Sequence, residues 1–192
     1  MFKIIDPARN SQVTNVIDIG HLWSLVGLNL SRAIHTAYLS LGSNLGDRDA
    51  NLQEAIRHLE AFGRVKARSS LYETEPMEMT NQPWFLNCAV AFETDLVPHE
   101  LLDSVLSIEK SMGRQRLIPK GPRVIDIDIL FFDDQIENSA DLTLPHPALH
   151  QRRFVLEPLA EIAPSLEHPI LNQSVTEMLD LLPSSGQKVK RI

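Results

Sequence analysis

The chain has one cysteine in 192 residues, Cys88, so no internal disulfide can staple it. Cys88 lies in an apolar, strand-like run and reads as a buried structural thiol rather than a nucleophile. That usage implies a reducing compartment, and the cytoplasm is the expectation. Aromatic residues are scarce, at 6 %, which argues against a sheet that stacks the bases of single-stranded RNA. No apolar run approaches the eighteen or so residues that a membrane helix needs. The nearest, over 19–30, is broken by His21 and Asn29 and follows Asp18, and it lacks the clean centre and cleavage site of a signal peptide. There is no Walker A glycine loop, no internal repeat and no low-complexity tract. Positive charge is in deficit too, with a net charge of -7, which disfavours a general nucleic-acid or membrane-surface binder.

What remains is an ordinary soluble composition, 43 % hydrophobic and 22 % charged, at a length that suits one globular domain with a sizeable core. One basic cluster stands against the acidic balance. Lys110, Arg114, Arg116, Lys120 and Arg123 put five cations into fourteen residues with no acid among them. Directly after it comes GPRVIDIDILFF, residues 121–132. A Gly-Pro break followed by β-branched and aromatic residues predicts a strand over 124–132. Alternation along that strand puts Ile125, Ile127 and Ile129 on one face. Asp126 and Asp128 share the other, with Cα atoms about 6.5 Å apart. Aspartate is a poor strand former, and like charges side by side repel unless a cation sits between them. A hard divalent ion, Mg2+ above all, meets that need. A half-exposed strand with two acids on its wet face, beside a solvated basic turn, is the plainer account of the same residues. Their adjacency favours a phosphoryl-transfer layout, with carboxylates to hold metal beside cations to hold phosphate.

Residues 1–35 read as an N-terminal extension. Asp6-Pro7, Asn10-Ser11 and Thr14-Asn15 signal loop, and Ile19, Leu22, Trp23, Val26 and Leu30 fall at helical spacing. This segment could pack on the domain, mediate association or stay unordered, or the translation start could lie downstream of it. The domain itself is expected over 36–182. A strand ending at Gly42 leads through a turn to a helix over 47–62, with Leu52, Ala55, Ile56 and Leu59 on its buried face. A strand over 65–72, a loop over 73–83 and a strand over 85–93 follow. Pro98 opens a helix that runs to 112, and the acidic strand completes the order. β-α-β-β-α-β predicts a ferredoxin-like α+β sandwich, an antiparallel sheet with helices on one face. From Asp133 an appended segment is expected: a turn, a short strand over 142–144, a bend at Pro145-His146-Pro147 and short helices over 155–162 and 175–182. A tail is expected over 183–192, and its basic part, 187–192, is expected to fray.

Six stretches occur in the order, and near the spacing, of one family: LSLGSNLGDR (39–48), YETEP (72–76), QPWFLNCAV (82–90), IEKSMGR (108–114), GPRVIDIDIL (121–130) and LPHPALHQRRFVL (144–156). Through them the chain resembles 6-hydroxymethyl-7,8-dihydropterin pyrophosphokinase, a folate-pathway enzyme. The resemblance implies transfer of the β,γ-diphosphoryl unit of ATP to the pterin's hydroxymethyl oxygen, release of AMP, and two Mg2+ ions. It implies that Asp126 and Asp128 hold the metal, that Arg114 and Arg123 grip phosphate, and that Arg116 is a further loop contact. His146 and Arg152 would lie on the ATP side, with Glu109, Ile129 and Thr143 lining the nucleotide pocket. On the pterin side it implies Phe85 and Phe154 as the sandwiching rings, Asn87 as the amide that reads the edge, and Thr74 and Pro76 as loop positions offering backbone contacts.

Those roles suit the residue types. Rings stack on a flat heteroaromatic, an amide offers both donor and acceptor, and guanidinium forks match phosphate oxygens. Taken singly, Phe85 and Phe154 read as core residues and Asn87 as a strand-edge polar group. His146 could be a general acid or base by type, but the resemblance makes it a nucleotide contact, and no strong protein base is expected. Three departures bear on lid closure and the pterin loop. Lys120 stands where the family often has an aromatic, the loop from 113 to 121 is a residue shorter than in some members, and Glu78 replaces a common glycine. That loop is the expected moving lid. The expected partners are ATP and the pterin, with no nucleic acid and no membrane, and the chain is expected to be a monomer, with a homodimer as the alternative. From another class, a non-catalytic ferredoxin-like module that binds nucleotide or metal stands as the alternative function. The joint presence of a metal pair and a phosphate clamp argues against it.

Overall fold

The computed structural model describes residues 32–77, 81–114, 121–183 and 186–192. The helix expected over 19–30, together with Glu78, Arg116, Lys120 and the rest of the lid loop over 115–120, lies outside the described residues.

Strand β1 (His35–Ser43) leads into helix α1 (Arg48–Leu59). The turn between them needs Gly46 at φ 65°, a left-handed conformation that glycine adopts at little cost. Asp47 then caps the helix, its Oδ1 accepting from the Ala50 N–H at 3.1 Å. Strands β2 (Arg64–Arg68), β3 (Tyr72–Thr74) and β4 (Phe85–Thr94) follow, then helix α2 (Pro98–Ser111) and strand β5 (Asp126–Phe132). The sheet order is β3-β4-β1-β5, with β2 also on β4 and every pairing antiparallel. This is the expected ferredoxin-like α+β arrangement. Leu52, Ala55 and Leu59 of α1, with Leu101, Val105 and Ile108 of α2, close over Leu39, Leu41, Val90, Phe92, Ile127 and Ile129 on one face.

Three features differ from the sequence reading. The single strand expected over 65–72 is two, both on the same edge of β4. Ser69 makes the break: its hydroxyl accepts from the Ala89 N–H at 2.9 Å, taking the place of a backbone acceptor in the ladder. The segment beyond Asp133 is no appendage. After the short strands β6 (Glu137–Asn138) and β7 (Thr143–Leu144), helix α3 (Arg153–Ile162) lies on the second face of the sheet. Beyond the short pair β8 (Glu167–His168) and β9 (Gln173–Ser174), helix α4 (Val175–Leu181) joins it there. Val155, Leu156, Leu159, Val175 and Met178 build a second core on Ala89, Leu130 and Phe131. A bulge makes this possible. Leu39 pairs with Ile129 but Tyr38 with Phe131, so Leu130 is an extra residue. Leu130 and Phe131 then both serve the second core while Ile129 and Phe132 serve the first. Residues 187–192 do not fray either. Strand β10 (Val189–Arg191) pairs with β3 at the sheet edge, and Arg191 reaches Ser70 at 2.9 Å and Glu161 at 3.2 Å.

Candidate active site

The register of the three central strands assembles the site. Gly42 of β1 lies opposite Asn87 of β4 on one side and Asp126 of β5 on the other, and Ser40 lies opposite Asp128. Asn87, Asp126 and Asp128 line one cavity of about 450 Å3. The absence of a side chain at Gly42 is required: a Cβ there would fall 2.5 Å from Asn87 Oδ1. Asn87 is buried, and its Nδ2 donates to the buried Thr74 Oγ1 at 2.7 Å. So Thr74, expected to offer a backbone contact, also holds Asn87 through its hydroxyl. Pro76, Phe85 and Phe154 line the same cavity. Each ring carries a guanidinium, Arg123 lying 5.7 Å from the Phe85 centroid and Arg152 5.7 Å from that of Phe154.

Charge is concentrated around Asp126. Arg114 Nη2 meets its Oδ1 at 2.6 Å and Arg123 Nη1 its Oδ2 at 2.6 Å. Arg114 is also ion-paired with Glu109, whose Oε1 accepts from the Ile127 N–H at 2.8 Å. Glu109 is 1 % exposed. Burial pushes its carboxyl up, while the Ile127 N–H and the charge of Arg114 pull it down. A buried carboxylate of this kind is tolerable only when paired and hydrogen-bonded, and here it aims Arg114 at Asp126. Asp128 is pushed up to about 7, first by burial and then by the charge of Asp126, against the pull of Arg152. Burial, then Arg152, lowers His146 to about 4. Its Nδ1 accepts from the Ala148 N–H at 3.2 Å, a contact that suits the neutral ring.

A second cavity, of about 520 Å3, also reaches the carboxylates and holds Glu109, Ile129 and Thr143 among its walls. Arg114, Asp126, Asp128 and His146 line both cavities. Arg152 lines the first only, beside the Phe154 ring. Every described residue to which the resemblance gives a role is therefore found at one of two cavities that share four lining residues.

The two aspartates suit a metal of one kind. Among the described residues no group of three or more His, Cys, Asp or Glu is placed to hold an ion. Substrate oxygens and water would complete a site built on the two aspartates, as Mg2+ commonly allows. The upward push on Asp128 from burial and from its neighbour is the strain that a divalent cation between the pair would relieve.

Sequence reasoning missed Asn44. It is buried, and its Oδ1 accepts from the Arg123 N–H at 2.7 Å while its own N–H donates to Arg123 O at 3.1 Å. Its Nδ2 donates to Gln82 Oε1 at 3.0 Å and Pro83 O at 3.1 Å. One amide thus ties Arg123 to the strand entry that carries Phe85. In sequence it reads only as a turn residue, and nothing local signals a contact 79 positions away.

Residues 38–164 match the family model for 7,8-dihydro-6-hydroxymethylpterin-pyrophosphokinase. A 2-amino-4-hydroxy-6-hydroxymethyldihydropteridine pyrophosphokinase of Methylorubrum extorquens is 51% identical over 152 residues, 78% of this chain and 95% of that protein. The folic acid synthesis protein fol1 of Schizosaccharomyces pombe is 47% identical over 152 residues, and the chain spans only 21% of its length. Among solved structures, the wild-type Plasmodium falciparum HPPK-DHPS with pterin and p-hydroxybenzoate aligns at a TM-score of 0.62 and 19% identity, over 77% of this chain and 42% of that one. At that identity the likeness speaks for the fold. The match of the family model over most of the domain and the half-identical bacterial relative place this chain in the 7,8-dihydro-6-hydroxymethylpterin-pyrophosphokinase family.

Proposed function

We infer that the chain transfers the diphosphoryl group of ATP to the hydroxymethyl oxygen of 6-hydroxymethyl-7,8-dihydropterin, yielding AMP and the pterin diphosphate. One observation carries this reading: the carboxylate pair sits where a ring-flanked cavity and a nucleotide-sized cavity meet. A flat bicycle held between Phe85 and Phe154, its edge read by Asn87, presents its hydroxymethyl arm towards the carboxylates. ATP in the second cavity, along Ile129, Thr143 and His146, presents its phosphates to Arg114 and Arg123. These arginines now spend their charge on Asp126, and phosphate oxygens compete for the same forks. Asp126 and Asp128 would hold Mg2+, two ions in this proposal, which when bound neutralise phosphate charge and orient the reacting oxygens. The protein's own contribution is positioning and electrostatics. No side chain here is placed in the role of a strong base.

The reading carries with it a cytoplasmic monomer of 21.6 kDa, acting on small molecules without a nucleic-acid or membrane partner. Among the described residues no helix is long and apolar enough to cross a membrane. The test is a coupled assay for AMP with ATP, Mg2+ and the hydroxymethyldihydropterin. Pterin-dependent AMP that disappears in Asp126→Ala and Asp128→Ala supports the reading. ADP in place of AMP would mean attack at the γ-phosphorus and a different kinase. ATP binding without turnover would favour a nucleotide-binding regulatory module.

A further inference from the structure

The walls of the ring-flanked cavity come from distant parts of the chain. The loop after β3 carries Pro76 and α3 carries Phe154, and among the described residues one side chain bonds to both segments. Gln187, from the tail just before β10, donates from Nε2 to Glu75 O at 2.6 Å and accepts at Oε1 from the Phe154 N–H at 3.3 Å. Phe154 lies in the first turn of α3, where backbone N–H groups lack an acceptor within the helix, and the N-cap Arg152 supplies no side-chain cap. The backbone of the tail reinforces the loop end: Glu75 N donates to Lys188 O at 3.1 Å, and Val189 pairs with Thr74. Gln187 also lines the cavity, yet both ends of its amide are taken by the walls.

We propose that Gln187 is a positioning residue for the flat substrate: its amide ties the loop after β3 to the Phe154 backbone and so fixes where the Phe154 ring stands as one wall of the slot. This rests on the pterin reading above. The tail, which in sequence reads as basic and frayed, thereby becomes part of the binding site. Because the bridge touches neither Asp126, Asp128 nor the arginines that face them, its loss should weaken pterin binding while leaving ATP binding in place.

The experiment is calorimetric titration of the hydroxymethylpterin onto the Mg2+-loaded full chain with a non-hydrolysable ATP analogue. The parent is compared with Gln187→Leu, which keeps the bulk and removes both polar ends, and with Gln187→Glu. Two hydrogen bonds lost at the slot should weaken pterin binding about tenfold in Gln187→Leu, with ATP-analogue affinity unchanged and, in turnover, a raised pterin KM at near-parental kcat. The Gln187→Glu variant keeps the acceptor for the Phe154 N–H and regains a donor for Glu75 O only when protonated. Its pterin affinity relative to the parent should recover only as pH falls through about 4. Parental pterin affinity in Gln187→Leu overturns the proposal. So does an equal fall in ATP-analogue affinity and melting temperature, which marks a merely structural residue. A parent chain that binds the ATP analogue but no pterin overturns the function itself, a result distinct from either.

Discussion

Replacing Gly42 by alanine adds one methyl group at the centre of the site, and its cost follows from three distances. The new Cβ would stand 2.5 Å from Asn87 Oδ1, 3.7 Å from Asn87 Cγ and 3.8 Å from Phe85 Cδ1. The first is at least about 0.5 Å too close for any real contact of that kind, while the others are ordinary van der Waals separations. Asn87 cannot simply swing away, because it is 3 % exposed and its Nδ2 is committed to Thr74 Oγ1 at 2.7 Å. Moving it breaks a bond between two buried groups, a loss of about 1–3 kcal/mol. Removing glycine's freedom in the unfolded chain returns about 0.5–1 kcal/mol, which leaves a net destabilisation on the order of 1–2 kcal/mol. Pterin binding should fall by tenfold or more, since the amide proposed to read the substrate edge is the group displaced. A double-mutant cycle isolates the cause. In an Asn87→Ala background the clash is gone, so the same alanine at 42 should be neutral or mildly stabilising, with a coupling of about 2 kcal/mol by chemical denaturation. Equal costs of Gly42→Ala in both backgrounds would refute the reasoning.

Other consequences follow from contacts elsewhere in the site. Asn44→Ala leaves the Arg123 N–H without its 2.7 Å acceptor; a loss of about 2 kcal/mol and a larger rise in the KM for ATP than for pterin are expected, and an unchanged ATP KM would dismiss Asn44 as an organiser of the phosphate side. Burial pushes the Cys88 thiol up to about 12, so a thiol reagent at about pH 8 should label it only at the rate of global opening, and burst labelling of the native protein would contradict its burial. His146, lowered to about 4 against an ordinary 6.5, stays neutral in the fold while the unfolded chain takes up a proton. Its contribution is fully present above about pH 6.5 and is lost as pH falls towards 4. His146→Gln should therefore flatten the fall in denaturation free energy between about pH 7 and 5, and curves parallel to the parent's would sink the assignment.

Much of this was legible in the chain, for reasons that can be located. The alternation of Ile127 and Ile129 with Asp126 and Asp128 is a local property of extended backbone, so both the strand and the segregation of its acids to one face could be read directly. Leu52, Ala55 and Leu59 marked a helix equally well, and Asp47 marked its start. The antiparallel α+β order followed from these local signals, and the ordered motifs pointed to the family. What failed was long-range. The extra residue at Leu130 looks like any other apolar residue in a run, yet the bulge there turns Leu130 and Phe131 to the second face and makes room for α3 and α4 as a full layer. Ser69 breaks a strand by bonding to Ala89, twenty residues on, which no window of local propensity contains. The tail reads as polar and frayed because its partners, β3 and Glu161, are remote in sequence.

The sequence by itself thus determined the elements and the chemical types at the site: two carboxylates, a guanidinium clamp, two rings and an amide. Tertiary structure alone decided how they converge. Register set Asn87 and Asp126 on either side of Gly42, burial made a charge-penalised Asp128 out of an ordinary aspartate, and a second helical layer supplied Phe154 and Arg152 as a wall. Hydrogen-bond period and side-chain alternation act between near neighbours and can be read in a linear string. Desolvation and strand pairing act between residues that meet only when the chain has closed on itself.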